Sequence, residues 1–486
     1  MGPLSLILIL TLGTSALLWR LPPRRARQTA LGAAWTVLVI VTVMVFRLDW
    51  QSAGYQFVEQ HLWIPSLNVS YHLGVDGISL PLIWVTALLT VLIFHYLGPK
   101  VERRELALFL MLEAALVAVF SALDLFLFYI AWELVLIPMY FIIRLWGGPR
   151  RDYAATKFFV YTFSASVIML VGIMALYFGA GSFDLVELIR TAPQTTRLFQ
   201  IWVFGALFLG FVVKMPQVPL HTWLPDAHVE APTEGSALLA GVLIKMGAYG
   251  LLRVALPLLP QGAAAFRPLM ITIGIVSILY AAYVCLAQRD LKRLVAYSSI
   301  SHMGVVLLGL GIGTQAALVG AIFTMIAHGL VSPLLFMVSG SLGHHAGTRE
   351  MDKLGGLATV AHRTGFVLVA GSLASLGLPG MVQFIGEFLV FWGTFQVLGL
   401  WTLLPLLTVV ITAGYYLWAV LKTLFGPVSP ISGLAHDLPD WEYRPMLALL
   451  LLIVLFGVWP QLWLGAMNAS VAQNILSPLQ ALGVIP

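Results

Sequence analysis

Of 486 residues, 60% are hydrophobic and 10% charged, with mean hydropathy +0.95, whereas soluble domains carry about 25% charged residues. This excludes a soluble globular domain and leaves room, at about 20 residues per span, for about 14 membrane helices and little else. The net charge of +5 lies in short loops and reads as a topology signal rather than a nucleic-acid surface, and the one cysteine, Cys285, excludes an iron–sulfur cluster, a disulfide or a CxxC pair within the chain.

The chain opens with an apolar run at 3–19 that has no basic residue before it and Arg20, Arg24, Arg25 and Arg27 after it. No small-residue cleavage site follows, so it reads as a retained first span with its N-terminus outside. Further apolar runs fall at 31–46, 76–97, 106–121, 124–144, 156–180, 198–215, 233–256, 268–287, 294–311, 315–342, 364–400, 402–424 and 446–468. Backbone amides in lipid must be satisfied within the segment, so these runs are helices. Residues 48–72, rich in Trp and Tyr, form the longest external connection, with the composition of an interfacial element. Residues 426–445, with Pro427, Pro430, Pro439 and Pro445, form a cytoplasmic loop.

Two runs are interrupted. The seventh span ends at Lys214 against Pro216 and Pro219, and the long run 364–400 is a single helix broken at Pro379-Gly380. Lys and Arg number nineteen in the odd loops and five (Arg47, Arg190, Arg197, Arg253, Arg267) in the even ones. That imbalance puts the odd loops in the cytoplasm and both termini outside.

A charge at the bilayer centre costs from about 2.5 to more than 10 kcal/mol, so it marks a functional group by default. Glu133, Lys214, Lys245 and Glu387 lie within the spans, together with His302 and His328. Each has a plain alternative: snorkelling for the lysines, helix-packing hydrogen bonds for the acids and histidines. Together they form a titratable chain. Glu113 is a further acid within a span. Glu133 precedes Lys214 by 81 residues and His302 precedes Glu387 by 85, which divides spans 4–8 and 9–13 into two five-helix repeats. An odd number of helices inverts the second repeat, and interrupted helices at matching positions point to an ion path at mid-membrane. The segments are then 1–105 (spans 1–3), 106–260, 261–425, and 426–486 (the proline-rich loop and span 14). In this scheme Glu133 gates the proton on Lys214, which passes it toward Lys245. Glu387 receives protons through His328.

Other signals are weak. Gly309–Gly313 has glycine spacing without a preceding strand. His221, Asp226 and His228 read as a structured turn beside Pro225 rather than a metal site, and His344 and His345 as polar residues at a helix end. No metal or cofactor site is expected.

The stretch KMPQVPLHTWLPDAHVEAPTEGSALLAGVLIKMGAYGLLR resembles the signature of the antiporter-like membrane subunits of complex I, the proton-pumping NADH:quinone oxidoreductase. WIPSLNVSYHLGVDGISLPLI, WELVLIPMYFIIRLWGG, DLKRLVAYSSISHMG and GLPGMVQFIGEF resemble the M type of that family, and the match spans about 62–425. The resemblance implies an all-α fold of 14 helices with two inverted five-helix repeats and interrupted spans 7 and 12. It also implies a proton path through Glu133, Lys214, Lys245 and Glu387. The glutamate at 387 and the absence of a long lateral helix distinguish the chain from the L type. NADH, FMN, iron–sulfur clusters and quinone are expected on other subunits, with L-, N-, K-, A-, J- and H-type subunits as partners. The implied location is a bacterial inner membrane, or a thylakoid for a cyanobacterial relative. The D-type subunit of multisubunit sodium/proton antiporters is the alternative.

Overall fold

The computed structural model describes residues 2–52, 54–99 and 101–477. Lys100, counted above among the loop charges, and residues 478–486 of the last segment lie outside them. The helices, in chain order, are α1 (Pro3–Leu18), α2 (Pro23–Arg47), α3 (Ser79–Tyr96), α4 (Arg103–Ser121), α5 (Leu125–Leu134), α6 (Leu136–Trp146), α7 (Arg151–Ala180), α8 (Leu185–Thr191), α9 (Arg197–Lys214), α10 (Trp223–Glu230) and α11 (Thr233–Leu258). They continue as α12 (Pro260–Leu286), α13 (Leu291–Ile312), α14 (Gln315–His345), α15 (His362–Ser375), α16 (Val382–Leu398), α17 (Leu403–Leu424), α18 (Asp440–Val458) and α19 (Gln461–Val471). Among the described residues, eleven helical stretches are long and apolar enough to cross a bilayer.

The helix boundaries follow from local chemistry. Asp124 caps α5 by accepting from Phe126 N and Leu127 N at 2.9 and 3.1 Å, and Asp290 caps α13 through Arg293 N at 2.9 Å. Gly313 ends α13 with φ 74°, so the glycines at 309–313 belong to a helix and its C-terminal turn.

Both expected interruptions are present. Helix α9 stops at Lys214, and the chain resumes as helix at Trp223. Pro216 and Pro219 lack the N–H that would continue the ladder. Trp223 Nε1 donates to Val213 O at 2.9 Å and so occupies one of the carbonyls left open. The second break separates α15 from α16, and there Gly377 and Gly380 take φ of 79° and 92°, which favours glycine.

Several expectations are corrected. The apolar run 446–468 is not one helix: α18 ends at Val458, and Pro460 opens a separate helix, because proline lacks the N–H to continue a helix but suits the first position of a new one. The external connection contains an antiparallel hairpin, β1 (Gln56–Ile64) and β2 (Val69–Val75), joined through Asn68 at φ 53°. Helix α11 is not uniformly α: residues Leu239–Leu243 and Leu251–Ala255 are π-helical, on either side of Lys245. Arg253 is not a loop charge. It is buried within α11 and paired with Asp76, just before α3. Lys292, also counted as a loop charge, is buried too.

Burial sorts the helices. The most apolar windows of α11 and α14 are 100% buried and that of α13 is 94%, whereas α7 and the α16–α17 stretch fall to 39% and 22%. The three central helices are those that carry Lys245, His302 and His328. The close approach of α16 to this centre needs glycine. A Cβ on Gly386 of α16 would lie 2.7 Å from Thr324 N of α14, a separation side chains do not adopt.

The proline-rich loop is tied down by Asp437. Its carboxylate accepts from Arg363 N at 2.9 Å and Thr364 N at 3.0 Å at the start of α15. Burial raises the Asp437 carboxyl, but these hydrogen bonds outweigh it and hold the group below the usual carboxylate range.

Two predictions follow from these ties. A carboxyl lowered on folding contributes stability above its unfolded pKa and loses it as pH falls through the folded one. Asp437→Ala should therefore cost about 1 kcal/mol at neutral pH, and less under acid conditions, in thermal unfolding of the detergent-solubilised protein. Arg253→Leu should cost about 3–5 kcal/mol by stranding Asp76, with most of the loss recovered in Arg253→Leu/Asp76→Asn. Equal melting temperatures for the single and double variants would contradict this.

Candidate functional site: a buried titratable line

Lys245 lies fully buried in α11 between the two π-helical stretches. Its Nζ donates to Ala240 O and lies 2.7 Å from His328 Nδ1 on α14. A π turn widens the ladder and leaves local carbonyls displaced from α geometry, and Ala240 belongs to such a turn. The His328 ring stands 5.4 Å, centroid to centroid, from that of His302 on α13. His302 Nδ1 lies 2.8 Å from Glu387 Oε1 on α16, and its Nε2 lies 3.3 Å from Ser375 Oγ at the end of α15. Gln383 Nε2 donates to Glu387 Oε1 at 2.8 Å. Ser375 Oγ donates to Tyr416 OH at 2.8 Å, and Tyr416 OH to Ser298 Oγ at 3.0 Å.

Four of the six candidate residues therefore form one line, in the order Lys245, His328, His302, Glu387. The sequence reading sent protons to Glu387 directly through His328. The partner in contact with Glu387 is His302, whose ring stands beside that of His328.

The other two candidates are placed differently. Lys214 is the last residue of α9, 1% exposed, and its Nζ has no hydrogen-bond partner. Its ammonium lies over the rings of Trp132 at 5.8 Å and Phe158 at 5.5 Å. A cation is favoured there by the ring quadrupoles and by the C-terminal end of the helix dipole. Glu133 is half-buried, with Ser166 and Tyr129 as polar neighbours, and its Oε1 lacks a partner. Glu133 and Lys214 act on each other electrostatically without an ion-pair contact. Pro138 removes the donor to Leu134 O beside Glu133, and the helix is interrupted at Val135. Gly247 brings the Lys245 helix against the end of α9: a Cβ there would lie 2.6 Å from Met215 N.

Among the break residues, Pro216 is buried, whereas Pro219, Pro379 and Gly380 are exposed. At the Glu387 end, an apolar cavity of about 570 Å³ opens at the second break, lined by Phe384, Phe388, Phe391, Trp392 and the Glu387 side chain. The line thus ends at Glu387 beside this cavity, while Glu133 stands apart from it and half-buried.

The structure adds groups that the sequence reading did not assign. His228 is fully buried on α10, stacks on Phe336 at 4.3 Å, and has no partner at either ring nitrogen. Asp226 is engaged by Lys157 at 2.7 Å, and His221 packs near Tyr280 and Tyr297. Gln383 was legible in principle, since it stands one helical turn before Glu387. Glu113 is fully buried on α4 with both carboxylate oxygens unpartnered.

Interrupted helices around a buried line of titratable side chains define a polytopic membrane protein of the ion-translocating class. Residues 122–412 match the family described as NADH:quinone oxidoreductase/Mrp antiporter, transmembrane. F(420)H(2) dehydrogenase subunit M of Methanosarcina mazei is 42% identical over 426 residues, covering 85% of each chain. NADH-quinone oxidoreductase subunit M of Rhodobacter capsulatus is 39% identical, covering 95% of this chain and 93% of its own. In respiratory complex I of Thermus thermophilus, one chain superposes with a TM-score of 0.89 at 30% identity, covering 97% of this chain and 99% of that one. A chain of the Mrp complex from a Dietzia species shares the fold, with a TM-score of 0.89 at 18% identity. The chain belongs to the NADH:quinone oxidoreductase/Mrp antiporter transmembrane family.

One consequence can be measured directly. His302→Leu leaves Glu387 with Gln383 alone and should lower stability by about 3 kcal/mol. His302→Gln, which can still donate, should lose less than half of that. Thermal unfolding of the solubilised protein checks both, and an unchanged midpoint for His302→Leu would show that the contact contributes nothing.

Proposed function

We propose that this chain is the non-redox, proton-translocating M-type subunit of the membrane arm of an NADH:quinone oxidoreductase. The observation that carries the reading is the order Lys245–His328–His302–Glu387, running from the most buried helices to α16, with 2.7 and 2.8 Å contacts at its two ends and neighbouring imidazole rings between them. Amines and imidazoles exchange protons with one another, whereas a hard alkali cation needs a set of oxygen ligands. This favours protons over sodium, and it weighs against the alternative of a D-type subunit of a sodium/proton antiporter.

The proposed step begins at Lys214. While Glu133 is ionised, its field holds the proton on Lys214. Loss of that field makes Lys214 a donor toward Lys245, across the close approach at Gly247. Lys245 passes the proton to His328, and His302 passes it to Glu387. Glu387 sits in the second turn of α16, near the end of the helix dipole that favours an anion.

The same reading assigns two inverted units, 106–260 and 261–425, each with one interrupted helix, to the two halves of the path. Odd loops face the cytoplasm and both termini face the outside. The half-buried Glu133 and the apolar cavity beside Glu387 support neighbouring subunits of L, N, K, A, J and H type as partners. With one cysteine in 486 residues, electron-transfer groups are assigned to those neighbours. Because relatives act in complexes with NADH or F420H2 as named donor, the donor is assigned to other subunits as well.

NADH-driven acidification of inside-out vesicles containing the assembled complex tests the reading. Lys214→Ala and Lys245→Ala should each reduce acidification at least about tenfold at equal complex content. Undiminished proton transport in either variant, or transport that requires sodium, would overturn it.

A further inference from the structure

A charged crevice of about 460 Å³ lies where α10 ends and α13 begins. Glu230, Asp290, Lys292, His344, Arg349 and Glu350 line it. Most of these charges are matched. Glu230 accepts from Arg150 N at 2.9 Å and Arg150 Nε at 3.3 Å, and Asp290 lies 3.4 Å from Arg349 Nε. Lys292 differs. It is 2% exposed, at the base of the crevice, and its Nζ donates to a neutral group, Ala231 O, at 2.6 Å. The charged groups facing it are Arg349, Glu234, Asp290 and Glu230.

Three residues before Ala231 stands His228. Both its ring nitrogens are without a partner in a fully buried site, an arrangement that is costly unless the ring has a further role. Two lysine side chains, Lys292 and Lys245, are close enough to act on this ring electrostatically. His328, the next group on the line, is within the field of His228 as well. A histidine with both nitrogens free between two lysines is arranged to receive a proton at one nitrogen and release one from the other.

We propose that Lys292 is a proton-uptake residue of this chain, taking protons from the charged crevice and passing them through His228 to reload Lys245 once it has passed on the proton received from Lys214. The inference rests on the translocation reading above. In the step, hydronium in the crevice protonates the neutral Lys292 amine and leaves water. The ammonium gives a proton to one His228 nitrogen. The imidazolium gives the proton on its other nitrogen to the neutral Lys245 amine. A bridging water completes any transfer longer than a hydrogen bond.

The test uses NADH-driven acidification of vesicles containing the assembled complex, normalised to complex content. Lys292→Met should reduce acidification at least about tenfold. Lys292→Arg should reduce it equally, because a guanidinium keeps its charge but does not release its proton. Lys292→His should retain about a third or more of the wild-type rate. Wild-type acidification by the Met or Arg variant would show that a fixed charge or a mere tether to Ala231 suffices, and would overturn the inference. Thr348→Trp, which fills the crevice mouth and leaves every relay group in place, decides the matter if the 292 variants fail to assemble. Loss of acidification supports uptake there, and a wild-type rate overturns it. Lys245→Ala separates the two levels: if it pumps normally the translocation reading fails, whereas normal pumping by the 292 variants alone removes only Lys292 from the path.

Discussion

The structure depends on one constraint: an ionic side chain in an apolar body must be compensated by another group or lose its charge. The protein meets it in three ways. Asp76 and Arg253 are closed into a permanent ion pair, supported by Ser79 N and Ile78 N donating to the carboxylate at 3.0 Å. Glu387 is held by His302, a partner that can itself gain or lose a proton. Lys214 and His228 have no polar partner and rest against aromatic rings. Permanent compensation fixes structure, while titratable compensation lets charge move without leaving an ion stranded. The gradation from arginine–aspartate through histidine–glutamate to unpartnered lysine separates scaffold from path.

Backbone geometry does the rest. The two interrupted helices place a cation at a helix C-terminus and an acid near a helix N-terminus, each where the dipole suits its charge. Glycine at 247 and 386 lets helices approach until backbone nearly meets backbone. Without those approaches, α11 would stand off the end of α9, and α16 off α14. The most polar interior of the molecule is thus assembled by its smallest residues.

Much of this was legible in the sequence. Apolar runs mark the helices, and prolines at 216, 219 and 379 mark the breaks. The chemistry of Glu133, Lys214, Lys245, His302, His328 and Glu387 stands out because such residues are costly in lipid. What remained hidden depends on pairing across the fold. Arg253 and Lys292 resemble ordinary loop charges until Asp76 and the crevice are in place. His228 looks like part of a polar turn until Phe336 and the two lysines surround it. The π-helical stretches leave no composition signal, and the hairpin at 56–75 falls in a stretch read only as an interfacial connection.

The π-helical stretches on either side of Lys245 have a consequence for the genetic code of this segment. A π turn accommodates about one residue more than an α turn, and one residue is worth about 100° of rotation in an α-helix. The spacing of residues between Leu239 and Ala255 therefore sets the angular bearing of Lys245 as much as its identity does. A single-codon insertion or deletion here would leave the composition and length of an adequate span, yet turn the ammonium away from His328. Length variation, which loops absorb and uniform membrane helices tolerate, is forbidden here by azimuth rather than by hydrophobicity.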